Sequence, residues 1–221
     1  MNGRFKLTLL GLFLLGAQLL TAQEKLTITV IPGKHWESKM WILIVPVTKT
    51  PQIAAWVETP DGEYVTTLMV TGRAAKKEWR GSPEGGRPES LPVWYHASRL
   101  AAENIDAASS ATPSGSAAVV GNASSLVPGK EYVVRLEVNH SFDYNDVWTK
   151  KGRTGDAGFS GVNGQPSLIY EGRIVAGQTV PVVLKPVGTG SVDGSDGRIR
   201  AGTSGLTTAM SIIETASVVY Q

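Results

Sequence analysis

The chain has 221 residues, among them 25 Gly, 12 Pro and no Cys. Without cysteine, disulfides, thiolate-held zinc, iron–sulfur clusters and thiol catalysis are excluded, so an apolar core must hold the fold. Lys and Arg number 21 against 19 Asp and Glu; two of the basic residues, Arg4 and Lys6, fall in the first 22, so the remainder is neutral and lacks the overall positive field that draws a protein to nucleic acid or to an anionic membrane.

Residues 1–22 carry the parts of a secretory signal: basic Arg4 and Lys6, the apolar stretch Leu7 to Leu20, and Thr21-Ala22 at the cut. The stretch is interrupted by Gln18 and is shorter than the roughly 20 apolar residues of a membrane span. No Cys lies at the cut and no twin-Arg pair precedes the stretch, so a cleaved Sec-type leader is expected rather than a lipid anchor. That leaves residues 23–221 as one periplasmic or secreted domain with no transmembrane anchor.

Leu26 to Ile31 alternates apolar and polar, the period of a strand. Trp41 to Val47 is a continuous apolar run that predicts a strand buried on both faces, with Pro46 near its end or at an edge. Ile53 to Thr59 and Glu63 to Val70 flank Pro60-Asp61-Gly62, a strong hairpin signal. Residues 72–92 lose periodicity and gather Gly, Pro, Lys and Arg, as functional or mobile loops do. A short helix is expected over Ala97 to Ala108, and loop over Ser109 to Ser125. The turn at Val127-Pro128-Gly129 leads into Glu131 to Val138, where Tyr132, Val134, Leu136 and Val138 share one face. A Gly-rich loop, Gly152 to Pro166, precedes a second hairpin, Ser167 to Val175 and Thr179 to Leu184. After the Gly-, Ser- and Asp-rich Gly188 to Gly205, Thr207 or Thr208 can cap a short helix through Glu214, and Ala216 to Tyr220 can close a sheet edge. Seven or more short strands with turns between them predict an all-β fold, an antiparallel immunoglobulin-like β-sandwich with long loops and one or two short helices.

The sharpest polar phrase is Asn139-His140-Ser141-Phe142-Asp143-Tyr144-Asn145-Asp146-Val147-Trp148. If the preceding strand continues through it, Asn139, Ser141, Asp143 and Asn145 share one face. Oxygen-bearing side chains so spaced suit a hard cation such as calcium, with Asp143 and Asp146 as metal candidates. They also suit a sugar or other polar ligand stacked on Trp148 and Tyr144, and a solvated strand end whose Asn and Asp make turns explains them as well. Arg87-Pro88-Glu89-Ser90-Leu91-Pro92-Val93-Trp94 joins a potential anion clamp, Arg87, to a possible stacking residue, Trp94; Arg87 can as well pair with an acid of this chain. The candidate ligand-binding residues are therefore Arg87, Trp94, Asn139, His140, Asp143, Asn145 and Trp148. Gly-x-Ser-x-Gly, His-x-x-x-His and phosphate-cradling Gly patterns are absent. Asp193-Gly-Ser-Asp-Gly197 fails the calcium-loop pattern, because Gly197 stands at its fifth position and Ser204 at its twelfth.

Three phrases in order, Ala55-Trp56-Val57-Glu58, Arg87 to Trp94 and Ala111-Thr112-Pro113, resemble the bacterial family DUF2271. The Asn139 to Trp148, Gly164 to Leu168 and Ser204 to Ala209 phrases extend the resemblance over most of the chain. Ala108-Ser-Ser-Ala-Thr-Pro113 and Val120-Gly-Asn-Ala-Ser124 depart from the family's usual wording. The resemblance implies an exported single-domain protein and no particular reaction. Two functions remain open. One is a non-enzymatic accessory or ligand-binding module, its partner a small molecule or an envelope protein and not nucleic acid. The other is an exported hydrolase of glycan or peptide, with Asp143, Asp146 or His140 as acid or base.

Overall fold

The computed structural model describes residues 24–42, 44–71, 87–100, 108–110, 115–153 and 155–221. The expected leader and most of the basic loop at 72–86 lie outside the described residues.

Alternation over Lys25–Pro32 makes β1, and the run that follows makes two short strands, β2 (Ser38–Ile42) and β3 (Val45–Lys49). The hairpin predicted around Pro60-Asp61-Gly62 is present as β4 (Gln52–Glu58) and β5 (Tyr64–Thr71). Helix α1 spans Pro92–Leu100, followed by β6 (Ala108–Ser110) and β7 (Ala117–Asn122). The remaining strands are β8 (Glu131–Asn139), β9 (Leu168–Val175), β10 (Val182–Thr189), β11 (Arg200–Ala201) and β12 (Ile213–Tyr220).

Ten strands join in one sheet, in the order β6-β5-β4-β8-β9-β10-β12-β1-β7 with β11 beside β10. All neighbours are antiparallel except β5 and β6. The corner is β10. Val182 to Leu184 pair with β12, Lys185 to Thr189 pair with β9, and the register slips between Pro186 and Gly188. A proline and a bulge are what let one strand serve two directions. The sheet curls until its ends nearly meet, giving a nearly closed barrel. Gly121 of β7 shows how closely, since a Cβ there would stand 2.8 Å from the Cβ of Leu68 in β5. The antiparallel all-β class expected from sequence holds, and what organises it is a single curled sheet.

Two apolar clusters hold this sheet. The larger fills the barrel and includes Leu26, Ile53, Ala55, Val57, Leu68, Leu136, Leu168 and Val218. The face predicted for Tyr132, Val134, Leu136 and Val138 points into it. The smaller lies outside the barrel wall, where Ala54 and Trp56 of β4, Val70 and Ile169 pack under Leu91 and, in α1, Val93, Trp94 and Tyr95. Every residue of β4 is consequently buried.

Several expectations are corrected. The strand buried on both faces is β4, and the run Trp41 to Val47 is instead split between β2 and β3, whose ribbon stands apart from the main sheet with Ile44 87% exposed. The helix begins at Pro92 rather than Ala97, because proline at the first helical position forfeits no hydrogen bond and arrives with helical φ. Part of the expected loop Ser109 to Ser125 is β7, paired with β1 over Ala117–Asn122. The helix expected through Glu214 is a short 3-10 turn, Thr208–Ser211, with no side-chain cap. Finally, β12 lies between β1 and β10 instead of at an edge.

Candidate functional site

The Arg87 to Trp94 phrase is pinned by buried polar side chains. Pro88–Ser90 forms a 3-10 turn that runs into α1. The first helical N–H groups have no partner within the helix, and Glu137 of β8 supplies one. Its carboxylate accepts from Val93 N at 3.2 Å, Trp94 N at 2.8 Å and Ser167 Oγ at 2.6 Å. Glu137 is fully buried, and burial pushes its carboxyl up to about 7 although these donors pull it back. Asn139 donates through Nδ2 to Ser90 O at 3.0 Å and Glu89 O at 3.3 Å, and Asn163 donates to the same Glu89 carbonyl. Trp94 is 2% exposed and its indole donates to Thr67 Oγ1 at 2.9 Å.

Sequence reading missed Glu137. Its signal is only the alternation that turns Leu136 and Val138 inward, which would place Glu137 on the outer face. That face normally meets water; α1 seals it here.

The Asn139 to Trp148 phrase does not continue the strand, which corrects the shared-face expectation. β8 ends at Asn139, and Phe142 takes a left-handed turn at φ 60°. His140 is buried, with Nε2 3.3 Å from Trp36 O; burial first, then the nearby Lys49, pushes its pKa down. A neutral buried imidazole serves packing better than proton transfer to a solvent-borne substrate. Asp143 bridges to Gly164 and accepts from Thr208 Oγ1. Asn145 accepts from Val147 N and Trp148 N at 2.9 and 2.8 Å, and donates to Gly205 O at 2.9 Å. Asp146 is exposed. Lys49, at the end of β3, donates to Ser141 O at 2.6 Å.

These bonds draw the loops at 87–91, 139–165, 190–197 and 204–208 together at one end of the sheet. Gly194, in the left-handed region at φ 74°, lies against the backbone of Pro88 and Glu89. Asp193 next to it accepts from Ser191, Ser195 and Gly158 N. Burial tends to raise its carboxyl, and these donors outweigh it and hold it well below the usual range. The Gly-Asp segment is thus a built turn.

Two openings are lined by described residues. One, of about 270 Å³, lies in the gathered loops and is lined by Trp148, Lys151, Asp156, Phe159, Ser160 and Val192 among others. Trp148 is half-buried, so one part of its indole is held while another faces the cleft; its ring packs on Gly205. The other opening, of about 350 Å³, runs beside α1, lined by Glu58, Val93, His96, Arg135 and Ile199. Its charges are already matched. Arg135 Nε meets Glu58 at 2.7 Å and Arg135 Nη1 meets Glu171 at 2.9 Å, while Trp56 Nε1 donates to Glu58 at 2.6 Å.

The structure therefore gathers Asp143, Asn145 and Trp148 into one set of loops, with Trp148 on the cleft. Arg87 opens the pinned turn, and Trp94, Asn139 and His140 are buried beneath. Asp143, Asp146 and His140 line neither opening. Among the described residues, no three His, Asp or Glu side chains group as metal ligands, and no helix is long and apolar enough to cross a membrane.

Comparison with protein families matches residues 42–151 to a model described as a predicted periplasmic protein. No curated protein and no solved structure matches.

Proposed function

Because the chain belongs to DUF2271, a family described as predicted periplasmic proteins, we propose that it is a non-enzymatic accessory module of the cell envelope that binds a small polar ligand in the loop-end cleft. In this reading residues 1–22 are a Sec-type leader removed on export, and residues 23–221 work as one domain. Use of the fold is immunoglobulin-like, with a β scaffold presenting recognition loops at one end. The observation that carries the proposal is the cleft itself. It brings two aromatic residues, Trp148 and Phe159, to the same opening as Ser160 and the opposite charges of Lys151 and Asp156. Ring faces for stacking with a few polar groups around them suit a saccharide or another small polar ligand. Asp143 and Asn145 support the site by holding the loop that carries Trp148.

A thermal-shift and tryptophan-fluorescence screen with mono- and oligosaccharides and short peptides tests this. A ligand is expected to raise the melting temperature of the parent protein, and Trp148→Ala is expected to abolish that rise while leaving the unliganded melting temperature near the parent's. Ligand binding that survives Trp148→Ala would remove the cleft from the proposal, and turnover of any of these compounds would replace binding with hydrolysis.

A further inference from the structure

The β2–β3 hairpin exposes the apolar residues Ile44, Val45 and Pro46. It forms a two-stranded sheet of its own. From Met40 to Val47 its sequence contains eight consecutive apolar residues. Ile44 is 87% exposed and Val45 57%. Val45 and Pro46 are successive residues of one strand, so they face opposite sides of the ribbon, and both are exposed. An exposed tip that is apolar on both sides is unusual for a protein surface.

Charge brackets this tip. Lys39 and Lys49 stand one on each strand at the base, in the register that pairs Ser38 with Lys49 and Lys39 with Thr48. Lys34 lies further out, and the one acid of the flanks, Glu37, lies further from the tip than Lys39. Beneath the base, Lys49 lies 5.4 Å over the ring of Phe142, itself 40% exposed.

We propose that this hairpin docks on an anionic lipid bilayer, with the apolar tip entering the boundary between headgroups and acyl chains and the exposed Lys39 meeting lipid phosphates. The dimensions agree. Three strand steps separate the Lys39–Thr48 pair from Ile42–Val45, and at about 3.3 Å per residue they reach roughly 10 Å, the depth of interfacial insertion. At that depth water and headgroups still satisfy the free edges of a two-stranded ribbon, which the hydrocarbon centre would not. Lipid is favoured over a protein partner because a partner surface covers one face of a ribbon, whereas Val45 and Pro46 expose both. The neutral charge of the chain does not oppose this, since attraction at a surface falls off within a Debye length of about 8 Å and is decided by the local lysines. The inference is independent of the ligand in the loop-end cleft.

Co-sedimentation of the purified protein with vesicles of phosphatidylethanolamine and phosphatidylglycerol tests it, beside vesicles of phosphatidylcholine alone. The parent protein is expected to pellet with the anionic vesicles. Ile44→Asp is expected to lower partitioning by about tenfold or more, since it places a charge where an apolar side chain was. Lys39→Glu is expected to lower it several-fold on anionic vesicles only, an effect that salt erases. Near-ultraviolet circular dichroism verifies that both variants fold, as their exposed positions require. Failure of the parent to bind, or equal binding by Ile44→Asp, overturns the proposal. A parent dimer in light scattering that Ile44→Asp dissolves also overturns it, and assigns the hairpin to a second copy of the chain.

Discussion

Two hairpins follow one another along this chain on opposite plans. β2–β3 is apolar through its centre and at its tip, and it stands outside the main sheet. β4–β5 ends in the polar turn Pro60-Asp61-Gly62, yet its strand β4 is buried along its whole length. The difference lies in what covers them. β4 has the barrel core on one face, through Ile53, Ala55 and Val57, and α1 on the other, over Ala54 and Trp56. No described element covers the tip of β2–β3. An apolar run states what a strand would favour as surroundings; protein or bilayer can supply them.

The comparison breaks first at Trp56. Trp56→Ala is expected to cost about 3–5 kcal/mol in urea unfolding, because it empties the space beneath α1 and leaves Glu58 without its indole donor. A loss below about 1 kcal/mol would mean that α1 is not a true cover. Glu137 comes next, since it anchors that cover. Its carboxyl stands at about 7 in the folded chain against an ordinary 4.5. The folded state therefore holds the extra proton, and the stability this contributes is present below pH 4.5 and lost as pH rises through 7. Unfolding free energy should fall by up to about 3 kcal/mol between about pH 5 and pH 8, and Glu137→Gln should flatten that slope.

Smaller effects sharpen the contrast at the two turns. Gly62 sits at φ 88° with open space where a Cβ would stand, so Gly62→Val should cost about 1–2 kcal/mol through backbone strain alone. Ile44→Asp, at the other tip, should shift unfolding by less than about 0.5 kcal/mol while altering vesicle binding. A large destabilisation by Ile44→Asp would show that the tip packs on protein.

Much of the strand content was legible because a half-buried strand alternates and a tight turn demands particular residues. Leu26 to Ile31, the Asp61-Gly62 hairpin and the inward face of Glu131 to Val138 follow from those local rules. Elements whose partners are distant were not legible. The pattern Ala117 to Asn122 is weak, and β7 exists because β1 pairs with it. In the candidate site, Trp148 and the polar residues around it stood out by type, but the spacing argument failed. Asn139 to Trp148 folds as turns tied to Gly164, Thr207 and Gly205 rather than as a continued strand.

By itself the sequence determined the antiparallel β class, the absence of cysteine chemistry, the family resemblance and the positions of the tight turns, all of which depend on composition or on neighbours a few residues apart. The tertiary structure alone decided that Glu137 is buried, that the Arg87 to Trp94 phrase is pinned by Asn139 and Asn163, that Trp148 lines a cleft, and that Ile44 and Val45 of an apolar run stand in the open. Burial is a property of what a fold lays across a residue, and a residue does not encode its distant cover.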